Sequence, residues 1–279
     1  ICLERAVALS SRYRWSMIIP AINALGAIAL LLIDDVNIGK FLLMCGSLGL
    51  VILFGLMLRL HRSQDMMVMA SGAACWSVGN ILWLASHPIY QVVHLWTAFL
   101  ILTIVGERLE LSRVRRLTST DEQLLIITVS IYLIGIFLTI FDLNSGVRLL
   151  GVGAILMAAW LLRYDIAGRT IRQQGLPRYI AACLLSGYMW LGFGGIIAMW
   201  KGAVYAGPDY AVILHAFLLG FVFSMIFGHM PIIFPALTGL QVNYNPIFYG
   251  HLILLHSALI YRIYGGLTGD MIVRQQGGM

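Results

Sequence analysis

The sequence predicts an all-α fold: a polytopic transmembrane helix bundle of about nine spans, with no soluble domain, forming a single domain over residues 1–279. Three observations carry this expectation. Hydrophobic residues make up 60% of the chain and charged residues 11%, with a mean hydropathy of +0.90, whereas soluble domains carry roughly 25% charged residues. Apolar runs of about 18 residues or more, the length needed to cross a hydrocarbon core, follow one another along the whole sequence. The intervals between them are too short to fold on their own.

Hydropathy places the spans at 15–33, 38–60, 66–85, 89–107, 124–142, 147–163, 178–200, 210–234 and 246–266. Helix-breaking residues support these limits. Asp34 and Asp35 follow the first span, His87 and Pro88 separate the third from the fourth, and Gly175 to Pro177 precede the seventh. Gly207 and Pro208 open the eighth, and Asn243 to Pro246 lead into the ninth. The chain starts at Ile1 without a signal-peptide cleavage pattern, and its tail DMIVRQQGGM is open-ended, so the termini are read as incomplete.

Basic residues are retained on the cytoplasmic side during insertion. Thirteen of the 18 Lys and Arg residues fall on the side of the N-terminus (Arg5, Arg12, Arg14, Arg59, Arg62, Arg108, Arg113, Arg115, Arg116, Arg163, Arg169, Arg172 and Arg178), and five (Lys40, Arg148, Lys201, Arg262 and Arg274) on the other. The expected location is therefore a bacterial inner membrane, multi-pass, with the N-terminus cytoplasmic. The net charge of +6 follows from this topology and points to lipid headgroups as partners; no nucleic-acid motif is present. Cys2, Cys45, Cys75 and Cys183 are scattered without metal-ligand spacing and read as small packing residues. Met66, Met67 and Met69, which soft copper chemistry would favour, read as lipid-facing packing.

The most informative stretch is HAFLLGFVFSMIFGHMPIIFPAL, residues 215–237, a strongly apolar span with His215 near one end and His229 near the other. On a continuous α-helix, fourteen residues bring His229 to within about 40° of His215 and roughly 21 Å along the axis. Gly220, Ser224 and Gly228 recur every four residues on the opposite side, a small-residue stripe suited to close helix packing. An intramembrane imidazole must be bonded or ligated, and for a single His a cross-helix hydrogen bond suffices. Two on one face resemble the arrangement of b-type cytochromes, in which each histidine holds a haem toward one membrane surface. That comparison implies haem b, one or two per chain, on His215 and His229; copper is the alternative metal, because neutral imidazole suits both.

Opposite ligands must lie at matching depths. His251 stands about eleven residues after the connection centred near residue 240, as far as His229 stands before it, and His94 lies about as deep in the fourth span as His215 in the eighth. His256, about 140° around the ninth span from His251, is either its substitute or a separate site. Phe217, Phe221, Phe227, Trp96 and Tyr249 are candidates for shaping a haem slot, with plain core filling as the alternative. His61 and His87 lie in surface segments and read as solvated.

The stretch HAFLLGFVFSMIFGHMP resembles a helix of the NnrS family, polytopic bacterial membrane proteins associated with haem, copper and nitric oxide metabolism, and is loosely similar to helices of haem-copper oxidase catalytic subunits. The match covers roughly residues 215–230. This chain continues as PIIFPALTGLQ, without the basic segment of that family, and has fewer spans. The resemblance implies a haem association for His215 and His229, with nitric oxide or oxygen metabolism as a linked role.

Glu107 and Arg108 at the end of the fourth span read as a snorkelling local ion pair, while Asn80 and Asn23 are expected to bond across the bundle. No Walker loop, H-E-x-x-H or C-x-x-C-H is present. The leading expectation is thus a membrane redox protein moving electrons within or across the bilayer, with other membrane subunits or a redox partner. The alternatives are a non-catalytic structural subunit of a larger bioenergetic complex, or a histidine-relay transporter of protons or metal; the absence of an internal repeat counts against the last.

Overall fold

The computed structural model describes residues 15–112, 118–240 and 243–278. Cys2 and six of the arginines counted above (Arg5, Arg12, Arg14, Arg113, Arg115 and Arg116) lie outside them. Helices account for nearly all the described residues: α1 (Ile18–Leu32), α2 (Val36–Leu60), α3 (Gln64–Leu84), α4 (Ile89–Ser112), α5 (Ser119–Leu138), α6 (Leu143–Tyr164), the short α7 (Ala167–Thr170), α8 (Leu176–Lys201), α9 (208–238), α10 (Phe248–Thr268) and the short α11 (Met271–Gln276). Eight of these helices are long and apolar enough to cross a membrane; α10, with 21 residues, supplies the ninth long rod.

The chain divides into two compact units near residue 110. In the first, α1 to α4 pack through small residues and apolar side chains. Leu53, Phe54, Met57, Met66 and Met69 form the core, and Trp76 stacks on Phe99 at 4.8 Å. Two of the three clustered methionines are thus interior and only Met67 faces outward, because their spacing turns Met66 and Met69 together to the inside. Asn80 bonds across the unit as expected: its amide donates to Leu43 O at 3.2 Å and its oxygen accepts from Trp96 Nε1 at 3.0 Å, tying α2, α3 and α4 together. Asn23 instead donates to Ile19 O of its own helix and leans on Gly46. Glu107 and Arg108 do not snorkel; both are buried, as is Asp65 on α3.

In the second unit, α5 and α6 form a tight hairpin in which Gly135, Gly146 and Gly153 touch opposing backbone. Both helices start earlier than hydropathy suggests, since polar caps extend them. Thr118 and Asp121 form a reciprocal capping box at the head of α5, and the Asp142 carboxylate accepts from Asn144 N at 3.0 Å at the head of α6. α6 meets α8 where Gly151 and Gly195 oppose each other, and α8 in turn supports α9.

Candidate functional site

The small-residue stripe of α9 packs as its spacing predicts. A Cβ on Gly220 would strike Trp190 Cγ at 2.5 Å, Ser224 Cβ stands 3.2 Å from where one on Gly187 would be, and a Cβ on Gly228 would lie 3.1 Å from Cys183 Cβ. All three partners lie on α8. Phe217 and Phe221, expected at a cofactor slot, are fully buried; Phe217 presses on Gly194 and Phe221 lies near Tyr188. Trp96 is spent on Asn80 and Gly79, and Tyr249 packs edge-on against Tyr179. Phe217 and Phe221 fill the interior, while Trp96 and Tyr249 are half-buried.

α9 is not a continuous α-helix. Pro208–His215 is α-helical, Ala216–Phe223 is a π-helix, and Ser224–Thr238 is α-helical again. Bonding from i to i+5 takes more residues per turn, so the offset of about 40° computed for a continuous helix does not hold across the π segment. Nothing in the local sequence announces this widening, which inserts between the two histidines.

His215 and His229 nonetheless share one feature. Each Nδ1 bonds the carbonyl four residues back, His215 to Ala211 O and His229 to Met225 O, both at 2.5 Å. This anchors the ring and turns Nε2 away from the helix. At His215 that nitrogen is already engaged, because Arg262 Nε of α10 donates to it at 2.9 Å. A guanidinium cannot accept, so Nε2 is the acceptor and Nδ1 carries the proton.

His251 lies on α10 with its ring 6.4 Å from that of Phe227, which places it near the depth of His229, two residues further along α9. Depth matches, but direction does not. Phe227, Met230, Pro231 and Phe234, the i, i+3, i+4, i+7 face of α9, line a cleft of about 290 Å³ with Tyr179, Phe248 and His251. His229 is about 200° around the helix from Phe227 and so points away from that cleft. His251 and His229 therefore do not converge.

His256 faces α8 instead. The Trp190 indole donates to its Nδ1 at 2.9 Å; its Nε2–H then donates to Ser186 Oγ at 2.9 Å, and the Ser186 hydroxyl donates to Cys183 O at 3.0 Å. Because indole is a donor only, the chain of bonds specifies the tautomer. This network was not foreseen; Trp190 and Ser186 are separated by one helical turn, which is the signal that would have suggested it. His94 belongs to the first unit, is 5% exposed, and its Nε2 has no hydrogen-bond partner among the described residues. His61 is exposed, while His87, half-buried, lies 3.4 Å from Gln91.

Fold and site together define a multi-pass α-helical membrane protein in which His215 and His256 are held in separate polar networks. Across residues 1–279 the sequence matches the model of the family described as Domain of unknown function (DUF8744), and the chain belongs to that family. No curated protein and no solved structure matches it.

Proposed function

We propose that the chain is a membrane redox protein carrying one b-type haem on His229, embedded in a bacterial inner membrane with its N-terminus cytoplasmic. One observation carries this reading. His229 sits at membrane depth just past a π segment, a feature enriched at functional sites, and its Nδ1 bond to Met225 O is the backbone anchoring found for ligating histidines. Haem asks for one or two imidazoles and so suits this chain better than copper: among the described residues no three His, Cys, Asp or Glu side chains converge. The reading assigns no haem to His215, whose Nε2 accepts from Arg262 Nε at 2.9 Å. His251 and His256, both turned elsewhere, are left out of the ligand set. Bound haem would supply one-electron exchange.

The test is a reduced-minus-oxidised spectrum of the detergent-purified chain produced with ample haem. The expected result is a set of b-type bands that fall in His229→Ala and persist in His251→Ala. Absence of bands, or bands unchanged in His229→Ala, overturns the reading. A second reading then stands, that of a non-catalytic subunit of a membrane assembly, favoured by the use of His215 and His256 as cross-helix hydrogen-bond partners.

A further inference from the structure

We propose that Arg262 and Arg274 form a clamp for a phosphate-type oxyanion at the N-terminal end of α9, with His215 as the residue that positions Arg262. The proposal is independent of haem. α11 folds back on α10 through Gly269, whose φ of 77° is left-handed, and through Asp270, whose carboxylate accepts from Ile272 N and Val273 N. A Cβ added at Gly277 would stand 2.5 Å from the Arg262 backbone nitrogen, and one added at Gly265 would strike Arg274 N, so only glycine lets the two helices meet there. The hairpin brings both guanidiniums to one cleft, lined also by Pro208, Ala211 and His215 of α9.

The charges do not balance. Arg262 spends one of its five N–H donors on His215, a group held neutral by accepting that very bond. Arg274 shows no side-chain partner among the described residues. The two acids close in sequence do not cancel both: Asp209 pairs with Lys201 at 3.0 Å, and Asp270, whose carboxylate accepts from the α11 backbone, still leaves one positive charge over. Two half-buried guanidiniums at the edge of a bilayer are costly without an anion, and two planar forks side by side match the oxygens of a phosphate. The free N–H groups and positive dipole end of α9 add to the same field.

The cleft itself holds about 10 Å³, room for one water at most, so the anion must bind at its mouth. A lipid phosphodiester, whose tails remain in the bilayer, and a free phosphate share this chemistry.

The experiment uses the full chain in neutral detergent and follows thermal stability during separate titrations with phosphatidylglycerol, phosphatidylcholine and inorganic phosphate. The expected result is stabilisation by phosphatidylglycerol, with an apparent affinity reduced at least about tenfold in Arg262→Gln/Arg274→Gln and unchanged in Arg172→Gln, an exposed arginine elsewhere. Stabilisation by inorganic phosphate with the same variant pattern identifies a soluble anion as the source. His215→Ala weakens binding and His215→Gln, which restores an acceptor for Arg262, recovers it; loss of stability without loss of affinity would reduce His215 to a structural role. Should the double variant fail to fold, Arg274→Gln on the terminal α11 carries the test alone. Equal responses in the Arg274→Gln and Arg172→Gln chains, or no response of the wild type to either anionic probe, overturn the proposal.

Discussion

The two ends of α9 start from the same local chemistry and finish in different company. Each has a histidine whose Nδ1 is tied to the carbonyl four residues back. Before the π segment, Nε2 meets a guanidinium from α10; beyond it, the ring points away from the α10 cleft. The comparison teaches that spacing along a helix assigns a residue to a face only while the helix keeps one pitch. Eight residues of wider turn are enough to give two similar side chains unrelated neighbours.

The strongest way to break this arrangement is to remove the widening. Deleting Leu219 should let the segment close as an α-helix and change the phase of everything beyond it relative to Pro208–His215. Either the contact of His215 with Arg262 or the contact of Ser224 and Gly228 with α8 must then be lost, and the melting temperature in detergent should fall further than for any single substitution below. A chain of unchanged stability would mean that the π geometry does not set the register. Next, Gly220→Leu forces a side chain into Trp190 and should cost about 1–3 kcal/mol, whereas Gly228→Ala, beside Cys183 at 3.1 Å, should cost clearly less. Chemical denaturation of the two variants in mixed micelles measures the difference.

The third prediction contrasts the two histidines of α10. His256→Ala strands the Trp190 indole and the Ser186 hydroxyl, and a loss of about 1–3 kcal/mol is expected. His251→Ala, at an exposed position, should fall within about 0.5 kcal/mol of wild type. Trp190 fluorescence should shift in the first variant and not in the second. Smallest is a pH effect at the α5–α6 turn. Hydrogen bonding from the Ser145 side chain holds the Asp142 carboxyl below its usual range. A depressed carboxylate contributes stability above its unfolded pKa and loses it as pH falls through the folded value. The gap between wild type and Asp142→Ala should therefore be level through neutral pH and close in acid, below the ordinary carboxylate range.

Much of the bundle was legible in advance because a bilayer imposes one rule on length and composition, and the apolar runs obey it. The limits of α5 and α6 were misplaced because hydropathy ignores the polar caps Thr118, Asp121 and Asp142, which lengthen helices by hydrogen bonding. The small-residue stripe was legible too, since close packing on α8 needs only Gly220, Ser224 and Gly228 in phase. The depth of His251 came from counting residues along two helices joined by a connection; its direction did not. Glu107, Arg108 and Asp65 were hidden for a related reason: whether a charge near a helix end reaches water or turns inward depends on what its neighbours leave open.

By itself the sequence determined that this chain is a bundle of membrane-crossing helices, how they follow one another along the chain, and which helix bears histidines at two depths. These follow from composition and from the rise per residue, which are local. Only the tertiary structure decided what each imidazole meets: Arg262 for His215, Phe227 for His251, Trp190 and Ser186 for His256. Those encounters depend on the azimuth of one helix against another, and a single change of pitch in α9 resets it.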